Sequence, residues 1–259
     1  MRAIIIGAGR GSRLMPTTEN SPKCFAEVGD QRILDWTLDA FRANGVDDIC
    51  FVGGYCMSAV EERYPELTFR FNDNWKNNNV LASLFYAEDL MEEGPFICCY
   101  SDILFSPNVI SMLLENTDDI ALVVDTKWED RYEHRTQHPP DDAEKVIVQQ
   151  GSILQVNRDI DPEDAYGEYT GVAKFSTAGA GALRRHYHRL RETYSGLPFR
   201  GASVFEKAYK IQLFEEMLEA GETFCHVDTD GEYIEIDTQE DFDYARKHWT
   251  TKHLVVSHG

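Results

Sequence analysis

The chain has 259 residues, 42% of them hydrophobic and 12% aromatic, which suits one large α/β domain or two small ones with a substantial core. Its formal net charge of −20 excludes the broad basic face that nucleic acid requires, and no window approaches the ~18 consecutive apolar residues of a membrane span. The N-terminus has no charged segment followed by a long apolar one, so a cytoplasmic protein is expected.

Ala3-Ile4-Ile5-Ile6 is a β-branched apolar run and predicts a buried first strand. It breaks into Gly7-Ala8-Gly9-Arg10-Gly11-Ser12-Arg13. A helix follows over 33–43, with Ile33, Leu34, Thr37, Leu38 and Phe41 as its apolar stripe and Asn44-Gly45 as its stop. Further strands are predicted at 48–52, 68–71, 96–100 and 120–125, and helices at 58–64, 80–92 and 107–115. Residues 72–79 form a polar loop. This alternation predicts an α/β fold, a mostly parallel Rossmann-like sheet flanked by helices.

From 127 to 142 the chain turns polar and aromatic. Paired strands are predicted at 145–148 and 153–156 around Gly151-Ser152, then a strand at 169–175 and helices at 177–193 and 202–219. Late strands fall at 224–228 and 233–236. A closing helix runs over 238–248, with Thr238 as N-cap and Asp241 three residues on. No repeat or linker interrupts the chain, so a single domain is expected.

Three glycines in five positions let the backbone turn tightly and approach a ligand, and N–H groups in such a turn cradle phosphate oxygens. Arg13 and Lys23 add fixed positive charge, which makes a nucleoside triphosphate the natural guest. The loop is not a dinucleotide-binding turn, because Ser12 stands where its third glycine would be. It is not a P-loop, because no lysine follows the glycines. Ligands in open α/β sheets bind beyond the carboxyl ends of the strands. Three other predicted strand ends carry suitable chemistry: Gly53-Gly54-Tyr55, Ser101-Asp102 and Glu235-Ile236-Asp237. A carboxylate at the end of a buried strand is costly without a partner, and Mg²⁺ bridging to triphosphate oxygens would provide one for Asp102. Period two places Glu235 and Asp237 on one strand face, where they could complete a hard-oxygen site. Asp241 is assigned to the helix N-terminus. None of the six cysteines forms a C-x-x-C pair, and the neighbouring histidines His134, His138, His186 and His188 lack ligand spacing, so free thiols and no zinc are expected.

The stretch Ile6-Gly7-Ala8-Gly9-Arg10-Gly11-Ser12-Arg13-Leu14-Met15-Pro16, followed by Pro22-Lys23, resembles the signature of nucleotidyltransferases that activate sugars and small phosphates. Gly7 stands where that family usually has alanine. Phe71-Asn72-Asp73 and the later Asn79 and Ser83 resemble the bacterial phosphocholine and phosphonate cytidylyltransferases, within the sugar-nucleotidyltransferase superfamily with its GT-A-like fold. The resemblance implies an Mg²⁺-dependent cytidylyltransferase that moves CMP from CTP to a small phosphonate or phosphomonoester and releases pyrophosphate. Arg13 and Lys23 would be catalytic. Gly7, Ala8, Gly9, Gly11, Gly53, Tyr55, Asn79 and Ser83 would bind nucleotide, and Asp102, Asp237 and Glu235 would bind metal. Asn79 and Ser83, one helical turn apart, would read the cytosine edge; the competing reading is an Asn-rich turn with a helix cap, which accounts best for Asn77 and Asn78. Residues 1–125 and 220–250 would form the nucleotide and metal core and 126–219 an inserted acceptor-binding lobe.

The acceptor stays open. Choline calls for an aromatic cage, for which Trp128, Tyr132, Tyr166 and Tyr169 are candidates. A phosphonate calls for bases, and Lys127, Arg131, Arg135, Lys145 and Arg200 stand out in so acidic a chain. Trp128, Arg131, Arg135, Lys145, Glu168 and Tyr169 are the acceptor-contact candidates. Phosphocholine as the acceptor, sugar-1-phosphate transfer with another nucleotide, a glycosyltransferase and a non-catalytic regulator remain alternatives, and a homodimer is compatible with all of them.

Overall fold

The structure is a computed structural model and describes residues 1–253 apart from Pro16, His134 and His138. Pro16 of the signature and two of the histidines considered for metal binding therefore lie outside the described residues. The first half alternates strand and helix as expected: β1 (Arg2–Gly7), the short hairpin β2 (Glu27–Val28) and β3 (Gln31–Arg32), α1 (Ile33–Arg42), β4 (Asp48–Gly53), α2 (Met57–Arg63) and β5 (Thr68–Phe71). Then come α3 (Val80–Leu84), α4 (Glu88–Glu92), β6 (Phe96–Tyr100), β7 (Ile103–Phe105), α5 (Pro107–Glu115) and β8 (Ile120–Asp125). The second half holds α6 (Trp128–Tyr132), β9 (Lys145–Gln149), β10 (Ser152–Asn157), β11 (Gly167–Phe175), α7 (Thr177–Tyr194), α8 (Lys210–Glu219), β12 (Phe224–Thr229), β13 (Tyr233–Glu235) and α9 (Gln239–His253).

Among the described residues, nine strands form one sheet in the order β5-β4-β1-β6-β11-β8-β12-β10-β9. The β5, β4, β1 and β6 strands run parallel, as do β8 and β12. Strand β11 lies antiparallel between β6 and β8. Successive β1 residues face opposite sides. Ile4 and Ile6 pack with Val52, Phe96 and Cys98 under α3, α4, α7 and α8, whereas Ala3 and Ile5 pack with Phe51, Ile97 and Cys99 under α1 and α5.

Three expectations are corrected. The helix expected over 80–92 breaks after Leu84 into a 3-10 turn, Phe85–Ala87, where Phe85 stacks on Tyr187 of α7 with centroids 3.4 Å apart and Tyr86 donates to Asp73 at 2.8 Å. Tertiary contacts override a continuous helical pattern there. The helix expected from 202 begins only at Lys210, because the preceding backbone pairs with the start of α3: Asn79 N–H donates to Glu206 O at 2.9 Å. The strand expected over 233–236 ends at Glu235 and pairs with β7 in a separate two-stranded ribbon. Chain reversal between β9 and β10 uses Gln150 and Gly151, both at positive φ.

A third apolar cluster positions the site. Leu14, Val28, Ile33, Leu104, Ile234, Ile236, Phe242 and Trp249 tie the glycine loop, the β2–β3 hairpin, the β7–β13 ribbon and α9 together. Each such buried large side chain contributes about 1.5–3 kcal/mol relative to exposure. This cluster carries Glu235 and Asp237 to the mouth of the glycine loop. The Trp249 ring meets Trp36, 213 positions earlier in the chain, edge-on at 6.3 Å between centroids.

Candidate active site

Beyond β1 the chain crosses Ala8-Gly9-Arg10 to Gly11, whose φ is 66°. A Cβ built on Gly11 would sit 2.9 Å from Lys23 Cβ, so glycine serves here both for the left-handed turn and for the close approach of Lys23. The 3-10 turn Ser12–Leu14 follows, with Leu14 buried and Arg13 outward, and Thr18 Oγ1 donates to Gly11 O at 2.9 Å. Lys23 opens a second 3-10 turn, Lys23–Phe25.

Lys23 Nζ donates to Asp102 Oδ2 at 2.8 Å and to Asp237 Oδ1 at 2.5 Å, and Arg13 Nη2 meets Asp237 Oδ2 at 2.7 Å. Residues from three distant parts of the chain thus form one charge cluster. Lys23 is 8% exposed. Burial alone would drive its ammonium down, but the charges of Asp102 and Asp237 and their hydrogen bonds raise it above the ordinary lysine value.

The cluster stands at the wall of a cavity of about 590 Å³ at the carboxyl ends of β1 and β6. Of the residues named from the sequence, Gly7, Ala8, Gly9, Gly11, Arg13, Lys23, Asn79, Ser83, Asp102, Glu168, Tyr169, Glu235 and Asp237 line it. Gly53, Tyr55, Trp128, Arg131, Arg135 and Lys145 do not. Gly53 ends β4 and packs under Met57. Tyr55 packs edge-on behind the cavity-lining Trp75, with centroids 5.6 Å apart, and donates to Glu19 O at 2.9 Å. Trp128 is buried with Tyr132 and Ala143 in a satellite core. Arg131 is ion-paired to Asp125 and Glu168. Arg135 is ion-paired to Asp241 at 2.6 Å and to Glu235 at 3.3 Å. Lys145 is buried, with Nζ 3.3 Å from Pro140 O. Lys127 and Arg200 pair with Asp230 and with Glu216 at 2.7 and 2.9 Å. In a chain this acidic, most bases already have carboxylate partners, so scarcity of positive charge was a poor guide to acceptor contacts.

Asn79 and Ser83 line the cavity, yet their polar atoms serve the fold. Asn79 Oδ1 accepts from Val80 N–H at 2.9 Å as the N-cap of α3, and its Nδ2 donates to Lys207 O at 3.1 Å. Ser83 Oγ donates to Asn79 O at 3.0 Å and accepts from Asn72 Nδ2 at 2.9 Å. Asp241 does cap α9, accepting from Thr238 N–H at 2.8 Å, and despite burial its pairing with Arg135 holds its carboxyl below the usual range.

Trp75, Asn78, Tyr100, Glu144, Arg158, Tyr209 and Tyr233 also line the cavity. Tyr100 sits one residue before Ser101-Asp102, a strand-end signal that was available. Arg158 and Tyr209 meet only through tertiary folding, with the guanidinium 4.3 Å from the ring centroid.

Among the described residues, no group of three or more His, Cys, Asp or Glu side chains is arranged to hold a metal by itself. The donor chemistry nevertheless fits Mg²⁺, which commonly takes one or two carboxylates and draws its remaining ligands from phosphate and water. Asp102 and Asp237 converge on one cation already, in Lys23. Burial, and then the Asp237 charge, push the neighbouring Glu235 carboxyl up to about 8.

Residues 3–192 match the profile of the MobA-like NTP transferase domain. The chain is 28% identical over 252 residues to the CTP:phosphoglutamine cytidylyltransferase of Campylobacter jejuni, an alignment covering 94% of this chain and 98% of that protein. It is 32% identical to the 2-aminoethylphosphonate cytidylyltransferase of Lancefieldella rimae over 107 residues, 40% of this chain and 44% of that protein. The solved inositol-1-phosphate CTP transferase of T. maritima superposes with a TM-score of 0.72 at 20% identity, covering 95% of each chain, and shares the fold.

Proposed function

The chain belongs to the MobA-like NTP transferase family and is a nucleotidyltransferase, and from that premise we propose that it transfers CMP from CTP to a small phosphorylated acceptor, releasing pyrophosphate. The observation that carries this reading is Lys23 held between Asp102 and Asp237 at the foot of the glycine loop. The full-length similarity to a CTP-dependent relative supports the choice of nucleotide.

An oxygen of the acceptor's phosphoryl or phosphonyl group attacks the α-phosphorus of CTP in line. A P–O bond forms there, the bond to the α,β-bridging oxygen breaks, and its electron pair leaves with pyrophosphate. No nucleophilic side chain is needed, since positioning and charge neutralisation supply the rate. The glycine loop's backbone N–H groups cradle phosphate oxygens. Lys23 neutralises the α-phosphate and the approaching anion, and Arg13 neutralises the leaving pyrophosphate. Asp102 and Asp237 would hold Mg²⁺, with Glu235 beside them. The ion would neutralise phosphate charge as the leaving group departs. Residues 126–219 supply the acceptor side, and the reaction belongs to the cytoplasm.

The test is pyrophosphate release with Mg²⁺ across CTP, UTP, ATP, GTP and dTTP, with wild type and Lys23→Ala. CTP is expected to lead, and loss of Lys23 should lower kcat at least ~100-fold in a protein that keeps its circular dichroism. Near-normal turnover by that variant, or a preference for UTP or dTTP with glucose 1-phosphate, would refute the reading.

A further inference from the structure

Four buried side-chain atoms on one side of the cavity have no hydrogen-bond partner among the described residues: Tyr100 Oη, Tyr169 Oη, Glu144 Oε2 and Arg158 Nε. All four residues line the cavity. Glu144 is 8% exposed and Tyr169 2%. An unpaired polar atom in such a place carries its full desolvation cost, so native folds rarely leave one without a use. Here several converge from four places in the fold: the end of β6 (Tyr100), the residue before β9 (Glu144), the residue after β10 (Arg158) and β11 (Tyr169). Arg158 is braced by the Tyr209 ring at 4.3 Å and reaches Glu144 Oε1 with Nη2 at 3.3 Å. Its Nε remains available as a donor.

The tyrosine rings make an unsuitable cage for a quaternary ammonium. Lys210, 0% exposed, already holds Nζ 4.0 Å from the Tyr100 centroid and 5.3 Å from that of Tyr169, and donates to Gly171 O at 2.8 Å. The protein's own cation thus takes the ring-face attraction that a choline headgroup would seek. A trimethylammonium group also has no N–H to give Glu144 and nothing to accept from Arg158, so it would leave all four atoms unpaired. A ligand end with both donors and acceptors satisfies them: an ammonium can donate to Glu144 Oε2 and a tyrosine oxygen, while a carboxylate accepts from Arg158 Nε and the other hydroxyl. Burial raises the Glu144 carboxyl, an effect that a ligand ammonium beside it would oppose.

We infer that Glu144, Arg158, Tyr100 and Tyr169 form a subsite for an α-amino acid head, so that the CMP acceptor is a phosphorylated amino acid rather than phosphocholine or a simple alkylphosphonate. The inference rests on the cytidylyltransferase reading above.

The test measures CMP-conjugate formation from CTP and Mg²⁺ with phosphoglutamine, O-phosphoserine, phosphoethanolamine and phosphocholine. O-Phosphoserine and phosphoethanolamine differ only by the carboxylate. The better of the two amino acids should exceed phosphoethanolamine and phosphocholine in kcat/KM by at least ~100-fold, since a site built to hydrogen-bond a group strongly rejects analogues lacking it. Arg158→Gln should cut the ratio of the amino acid to phosphoethanolamine at least ~10-fold, a readout that a merely structural role would not move. Equal or greater turnover of phosphocholine or phosphoethanolamine overturns the inference while leaving the cytidylyltransferase reading standing. So does an unchanged ratio in Arg158→Gln, or a variant that shifts only the KM for CTP. Absence of a CMP conjugate with all four acceptors overturns both.

Discussion

Gly7→Ala tests how tightly the fold is closed around the first turn of the loop. Gly7 ends β1 and is not among the residues at positive φ, so alanine suits the backbone itself. The added methyl, however, would lie 2.5 Å from Phe51 Cζ and 2.6 and 2.9 Å from Ser101 Oγ and Cβ. Carbon pairs rest at about 3.5–4.0 Å, so roughly 1 Å must be found by movement. Phe51 is buried in the core, and Ser101 N–H is held to Ile6 O at 3.1 Å, so neither moves freely. Overpacking of this kind costs about 1–3 kcal/mol, against about 0.4–1 kcal/mol gained from a less flexible unfolded chain. The net loss of about 1–2 kcal/mol lowers the Tm by roughly 2–8 °C. Because Ser101 precedes Asp102, the same push displaces the Lys23 pair, and kcat/KM for CTP should fall with the Tm. Thermal melting and steady-state kinetics on one preparation provide the assay. A Tm equal to or above that of wild type would refute the reasoning.

Asn79→Ala should destabilise by about 1 kcal/mol through loss of the cap, and Asn79→Ser should recover most of it. If Asn79 reads the base instead, both variants change the CTP-to-UTP preference alike. At pH 8, disulfide-exchange labelling of the native protein should reach only the half-buried Cys56 and Cys225, leaving Cys24, Cys50, Cys98 and Cys99 protected until unfolding. Burial raises those four thiols, to about 12 for Cys24 and Cys50. Unfolded thiols ionise near ~8.5, so the stability due to the buried neutral form is complete below that pH and is lost as pH climbs toward the folded values, by about 1.4 kcal/mol per unit for each thiol. A Tm that stays level from pH 8 to 10 contradicts this.

Elements whose pattern is local could be read from the residues alone. The run Ala3 to Ile6, the α1 stripe and the glycine loop read correctly because strand burial, helical period and left-handed turns are properties of adjacent residues. The pair Arg13 and Lys23 and the strand-end Asp102 followed from type and spacing. Tertiary structure alone decided what depends on who arrives from elsewhere. Trp128, Arg131, Arg135 and Lys145 looked like acceptor contacts, but folding placed Trp128 in a core, paired the two arginines with carboxylates and turned the buried Lys145 ammonium to backbone carbonyls. Gly7 looked interchangeable with alanine until Phe51 and Ser101 closed on it. Tyr169 was legible as an acceptor candidate, but that Glu144, Arg158, Tyr100 and Tyr169 face one cavity was not, because an unpaired hydrogen-bonding atom is defined only by which neighbours fail to reach it.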